Sequence, residues 1–346
     1  MTSVPLLFVG IDYHQDSLRV CVLDQTGRLL LNRSCLNEVD AVRRAMAVAV
    51  SGRVAGVAIE ACCGAANLAD ELQHQTDWPV HLAHPGYVAR MKQSPDKSDF
   101  SDARLLADLE RVGYVPQVWL APEQIRQLRR LIRHRQRLVD ARRNAKLRLR
   151  ALLRENRIKA PVGCNAWTKA WLRWLAGLDT LSADDCWLRD QHLDELQYVT
   201  AQIRAVEQRL GEQVRDDPVV KKLLTLAGVG FVTAVTLRAE IGYFNRFRTG
   251  KQLSRFCGLS PRNASSGQRQ ADAGLIKAGN PGLRTVLIEL GQRLLRQRKG
   301  HWCRLGYRML RRGKPRNVVV AAVANRWVRW LFHQMQPGPL LAETSA

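Results

Sequence analysis

Four carboxylates of this 346-residue chain stand where their types and spacing allow chemistry: Asp12, Glu60, Asp99 and Asp102. Asp12 closes the apolar run LLFVGID and Glu60 closes VAGVAIE, so each falls at the end of a predicted strand. In open α/β sheets, side chains at strand ends converge on the crevice where ligands bind. Asp99 and Asp102 lie near the start of a predicted helix and, at i and i+3, share one of its faces. Carboxylates brought together repel strongly, and the usual relief is a divalent cation, here one or two Mg²⁺ or Mn²⁺ ions held by oxygen. Two such ions about 4 Å apart would activate a nucleophile and stabilise the leaving oxygen in phosphodiester cleavage. Taken singly, Asp99 and Asp102 also read as helix N-caps, and Asp12 and Glu60 as turn residues. Their joint placement favours a metal site.

A second chemistry lies in the polar loop LSPRNASSG, residues 259–267, where hydroxyls adjoin a glycine and Arg262 and Arg269 flank them. A serine must be activated before it attacks, and cationic side chains can hold a phosphate and its developing charge. Gly267 lets backbone approach a phosphate closely. By itself the stretch also reads as an ordinary Ser/Gly surface loop. The G-V-G at 228–230 offers either backbone N–H groups for a phosphate, as in a helix-hairpin-helix turn, or simply a tight helix–helix turn.

The order GID…IEA…KSDFSDAR resembles the ribonuclease-H-like, RuvC-type nuclease domain of the DEDD transposases, the insertion-sequence family numbered one hundred and ten, which includes the Piv DNA invertase. Residues 223–283, with LAGVGFVTAVTL, FCGLSPRNASSG and KAGNPG, are similar to that family's C-terminal transposase domain. The resemblance implies an α/β ribonuclease-H-like domain with a mixed sheet, whose catalytic and metal-binding residues are Asp12, Glu60, Asp99 and Asp102. It also implies a serine nucleophile that becomes covalently attached to DNA. The motif match falls on Ser266, directly before Gly267, with Ser265 the adjacent competitor. The implied function is that of a transposase cutting and rejoining donor and target DNA through a phosphoserine ester. A structured noncoding RNA encoded by the element would pair with both DNAs, and the active site would be composite within a homo-oligomer, a dimer or tetramer. The alternatives are a Piv-like invertase, a Holliday-junction resolvase using the metal site alone, and, from another class, a non-catalytic nucleic-acid-binding protein. Against the last stands the presence of all four acids and the serine.

Charge describes how such chemistry would be held on its substrate. Lys and Arg number 54 against 31 Asp and Glu, a formal charge of +23. From Arg126 to Lys159, 14 basic residues face only Asp140 and Glu155, and from Arg284 to Arg329, 13 face only Glu289, so each strip carries +12. The rest of the chain is left at −1, a near-neutral body bearing two cationic strips. That is the footprint of a polyanion partner, although solvated helix faces are the plain alternative. The candidate contacts are Arg129, Arg130, Arg133, Arg137, Arg143 and Lys146 in the first strip and Arg311 and Arg312 in the second, with Arg262, Arg269 and Lys277 around the serine loop. The strips do not distinguish RNA from DNA. They lack the broad Phe/Leu face that a membrane surface would require.

The elements that must position these groups follow from periodicity. Runs at 6–12 and 18–23 read as a hairpin, followed by a strand near 28–32, a helix near 39–50, a strand at 54–59, a helix at 65–73, a strand at 80–83 and a helix from about Ser101 to Val112. Residues 123–157 contain neither Gly nor Pro and read as one long basic helix. Leu196, Val199, Ile203, Val206 and Leu210 form a seam that suits either a coiled coil between subunits or a helix pair within one. The expected organisation is a catalytic domain at 1–118, a basic helical and coiled-coil region at 119–217 and a mostly helical transposase domain at 218–340. The eight cysteines form no C-x-x-C pair, so neither a disulfide framework nor a zinc site is expected. With no signal peptide and no run of 18 apolar residues, the expected location is the cytoplasm, at the nucleoid when bound to DNA.

Overall fold

The structure is a computed structural model and describes residues 4–47, 51–92, 98–263, 272–276, 278–297 and 299–336. The chain divides into two compact units, Met1–Pro122 and Glu123–Ala346. No helix among the described residues is long and apolar enough to cross a membrane.

The first unit runs β1 (Leu6–Tyr13), β2 (Ser17–Asp24), β3 (Leu29–Leu36), α1 (Val39–Ala47), β4 (Arg53–Glu60), α2 (Ala65–Gln75), β5 (Val80–Ala83), α3 (Pro85–Met91), α4 (Asp99–Arg111) and β6 (Gln117–Val118). The strands form one mixed sheet in the order β3-β2-β1-β4-β5-β6. β1, β2 and β3 pair antiparallel, β4 and β5 run parallel to β1, and β6 closes the far edge antiparallel.

The two faces of the sheet differ in side-chain size. Leu7, Val9 and Ile11 of β1 join Val39, Val42 and Met46 of α1 and Leu68 and Leu72 of α2 in one apolar layer. The alternate residues of β1, Gly10 and Asp12, point to the other face. There the sheet offers small residues, Gly10, Cys21 and Ala58, and α4 packs on them through Ala103, Leu106 and Ala107. A Cβ at Gly10 would lie 2.0 Å from the Ala103 carbonyl oxygen and 2.4 Å from the Ala107 nitrogen. Helix backbone therefore rests directly on strand backbone.

The second unit holds α5 (Glu123–Glu155), α6 (Lys169–Ala176), α7 (Ala183–Val214), α8 (Pro218–Leu224), α9 (Phe231–Ile241), a short 3₁₀ turn (Phe244–Arg246), α10 (Gly250–Phe256), the hairpin β7 (Pro261–Asn263) and β8 (Asp272–Leu275), α11 (Pro281–Arg296), α12 (His301–Arg311) and α13 (Arg316–Gln334). α5 and α7 pair antiparallel: Arg135 meets Glu207, Arg148 meets Glu195, and Asn156 meets Asp185. The seam residues Leu196, Val199, Ile203 and Leu210 are buried within this chain. Leu128 and Ile132 of α5 and Leu210 and Val214 of α7 share one core with α9, α11 and α13. The tryptophan patch forms a local core with Ala145, Leu149 and Leu196, in which the Trp167 and Trp171 ring centroids are 4.5 Å apart.

The strands and helices match the expected order, with differences at element ends. α4 begins at Asp99 because Ser98 caps it, its hydroxyl accepting from the Ser101 N–H. β3 extends to Leu36 through polar residues because it is an edge strand with one face in solvent. α3 and the two-residue β6 add to the expected set.

Gly10→Ala tests the close approach of α4. Overpacking backbone against backbone should cost about 1–3 kcal/mol or more in a chemical unfolding titration. The same substitution at Gly230, where a Cβ meets nothing within 4 Å, should cost far less.

Candidate functional site

The parallel register levels Ile11 of β1 with Ile59 of β4. Asp12 and Glu60 follow at the same end of adjacent strands, and both share the parity of the α4-facing residues Gly10 and Ala58. α4 begins over this end of the sheet and brings Asp99 and Asp102 to it. His14 Nε2 lies 3.3 Å from Asp12 Oδ2 and 3.4 Å from Asp99 Oδ1. The donor atoms of Asp12, His14 and Asp99 all lie within 4.8 Å of one another. Burial holds the Asp12 carboxyl above the usual carboxylate range; His14 opposes this, and the negative charges of Asp102 and Asp99 reinforce it. Burial likewise raises the Cys62 thiol, and the negative charges of Glu60 and Asp12 add to it. Asp102 is buried and already partnered, its Oδ1 2.7 Å from Lys92 Nζ. Acidic oxygens that repel one another, with an imidazole nitrogen among them, are a donor set that fits a divalent cation.

In the second unit, Ser265, Ser266, Arg269 and Lys277 lie outside the described residues, while the hairpin strands that flank the serines are described. Arg284 of α11 holds the two ends of that hairpin. Its Nε donates to the Gly258 carbonyl at 3.0 Å, and its Nη2 donates to the carbonyls of Ile276 at 3.1 Å and Gly279 at 3.4 Å. The Ile276 N–H donates to the Ser260 carbonyl at 2.9 Å, closing the base of the hairpin. Beside it opens a cavity of about 1220 Å³ with Leu259, Leu275 and Ile288 in its lining and Lys251, Arg316, Arg326 and Arg329 around it. No carboxylate is among its described lining residues. The G-V-G turn separates α8 from α9, with Gly228 at φ +80°, where a side chain would be strained and would meet Leu290 and Leu294.

The cationic strips divide into inward and outward groups. Arg129 donates to the Ala239 and Glu240 carbonyls at the C-terminus of α9, at 2.7 and 3.2 Å. Arg133 forms a two-pronged pair with the buried Glu240 carboxylate at 2.8 and 2.9 Å, and Asn280 donates to the same carboxylate. Arg130 pairs with Glu123, Arg143 lies 3.7 Å from Asp140, and Lys146 sits 4.7 Å over the Trp167 ring. Arg137, Arg262, Arg311 and Arg312 are exposed.

Sequence reasoning passed over three residues at these sites: His14, Lys92 and Arg284. The spacing D-x-H at the end of β1 was the available signal for His14, since alternate residues share a side of an extended chain. Lys92 and Arg284 act through contacts distant in sequence and left no local mark.

Three outcomes follow. Ionised Asp12 opposes folding at neutral pH, and this opposition fades as the pH falls. In chelator, Asp12→Asn should therefore raise stability by about 0.5–2 kcal/mol near neutral pH, with the gain shrinking toward acid pH in thermal melts. Arg133→Ala should lower stability by about 2 kcal/mol by stripping charged hydrogen bonds from Glu240. Arg137→Ala should leave unfolding unchanged and instead reduce the salt slope of nucleic-acid binding by about one.

The chain is similar to known proteins over both units. A DEDD transposase model of the IS110 type matches residues 9–157, and a model described as "Transposase IS116/IS110/IS902 family" matches residues 220–312. A Pseudomonas aeruginosa protein named "Probable family 20 transposase" is 31% identical over 287 residues, covering 80% of this chain and 82% of its own length. The transposase for insertion sequence element IS1111A of Coxiella burnetii is 26% identical over 93% of this chain and 88% of its own. The transposase for element IS1328 of Yersinia enterocolitica is 28% identical over 79% and 81%. Similarity that spans both units, and takes in the carboxylates of one and the hairpin of the other, means that the chain belongs to the IS116/IS110/IS902 family of transposases.

Proposed function

We propose that this transposase cuts and rejoins the DNA of its insertion sequence by combining a carboxylate-bound divalent ion with the Ser266 hydroxyl. The observation that carries the reading is the convergence of Asp12 and Asp99 donor atoms at the strand ends, with Glu60 on the adjacent strand and Asp102 one turn along α4. The strand order, with α4 against its small-residue face, supports a ribonuclease-H-like, RuvC-type domain over residues 1–118. Residues 119–217 are the basic region that grips nucleic acid, and residues 218–340 carry the serine. A divalent ion held by Asp12, Glu60, Asp99 and Asp102 would supply charge neutralisation at the scissile phosphate.

Ser266 Oγ attacks the phosphorus, one P–O ester bond forms to serine, and one breaks to the leaving deoxyribose oxygen, which takes up the proton. The number of phosphate esters is unchanged, so rejoining requires no ATP. The Arg284 contacts fix the hairpin ends on either side of the serine, and the neighbouring cationic cavity suits a DNA strand with its phosphates on the rim and its bases on the apolar floor. Donor and target would be chosen by pairing with an element-encoded RNA, leaving the exposed arginines to read backbone. The working form is a homo-oligomer.

Ser266→Ala should abolish the SDS-resistant protein–DNA adduct while Ser265→Ala retains it. Asp12→Ala and Asp102→Ala should abolish recombination in Mg²⁺. Sequencing of the nucleic acid that copurifies should recover one discrete RNA. A Ser266→Ala protein that still forms the adduct would overturn the assignment of the nucleophile.

A further inference from the structure

His14 is no member of the four-carboxylate pattern, yet its imidazole stands between two of the acids. A protonated imidazole bonded to a carboxylate closes to about 2.7–2.9 Å. The His14 Nε2 contacts are longer, 3.3 Å to Asp12 and 3.4 Å to Asp99. Ligands around one ion keep such a wider separation. With metal–ligand bonds of about 2.1 Å, neighbouring donors lie about 3.0 Å apart in an octahedron and about 3.4 Å in a tetrahedron.

The backbone holds His14 in place. Its N–H donates to the Ser17 carbonyl at 3.0 Å, and its carbonyl accepts from Asn37 Nδ2 at 2.9 Å. The turn from β1 into β2 is thus tied at both backbone groups of this residue, and the ring is presented on a fixed base. The side chains of His14 and Asp99 are 48% and 58% exposed, so an ion reaches them from solvent. Asp102 shares its Oδ1 with Lys92, whereas Asp12, His14 and Asp99 offer donor atoms that all lie within 4.8 Å of one another.

We propose that His14 is a ligand of the ion bound by Asp12 and Asp99, so that the shell is mixed nitrogen and oxygen and favours Mn²⁺ over Mg²⁺. This rests on the carboxylate site binding a divalent ion. Mg²⁺ is hard, demands near-octahedral oxygen ligands and keeps its water, whereas imidazole suits transition ions. A nitrogen donor at this position therefore acts as a selectivity element that four carboxylates alone would not supply.

The test uses full-length protein and Mn²⁺ itself as probe. Pulsed electron paramagnetic resonance of bound Mn²⁺ should show nitrogen modulation from a directly coordinated imidazole, and His14→Gln should remove it. Calorimetric titration should show that His14→Gln weakens Mn²⁺ by at least about tenfold, the loss that even outer partners of a metal ligand bring, while Mg²⁺ affinity stays nearly the same. Suppose Mn²⁺ binds, is lost in Asp12→Asn, carries no nitrogen modulation and binds His14→Gln as well as wild type. Then His14 is no ligand, and the carboxylate site stands without it. If Asp12→Asn binds Mn²⁺ as well as wild type does, or neither ion binds, both readings fall together.

Discussion

The first unit depends on the distance between the backbone of α4 and the backbone of β1 at Gly10. No side chain separates them: the Ala103 carbonyl and the Ala107 amide occupy the place a Cβ would take. This contact sets how low the helix lies on the sheet, and hence the height of Asp99 and Asp102 above the strand ends bearing Asp12 and Glu60. Had Gly10 been Leu or Val, the helix would sit a side chain farther away, and the carboxylates would part by ångströms. The larger apolar layer lies on the other face, where Leu7, Val9 and Ile11 meet α1 and α2.

In the second unit, charge has two uses that its total conceals. Arg129, Arg133 and Arg135 are structural cations, joined to helix-end carbonyls or carboxylates of this unit. Arg284 lies in the second strip and is likewise committed, to three carbonyls around the serine-bearing hairpin. The guanidinium suits this work because its planar fork donates to several acceptors at once, which a lysine ammonium does less well. Arg137, Arg311 and Arg312 of the same strips are exposed.

Much of the fold was legible because burial imposes period: the β1, β2 and β4 runs, the length of α5 and the α7 seam all follow from apolar spacing. The placement of the four acids on strand ends and at a helix start was legible because these are local features. α3 escaped because only Val88 of its seven residues is buried, too little to mark a period. The start of α7 escaped because Trp187 and Leu188 are exposed at its first turns and break the seam pattern. His14, Lys92 and Arg284 escaped for another reason. Each owes its role to partners that only the fold brings near, and a histidine after a strand or an arginine in a basic helix has no distinguishing neighbour in the chain.

The antiparallel pair of α5 and α7 has a consequence of scale. Helices of 33 and 32 residues are each about 50 Å long. At about 3.4 Å per base pair, such a rod matches roughly 15 base pairs of duplex, more than one full turn. That length is a span over which a nucleic acid lying along the pair would complete more than one turn, so contacts at its two ends would fall on successive turns of the duplex.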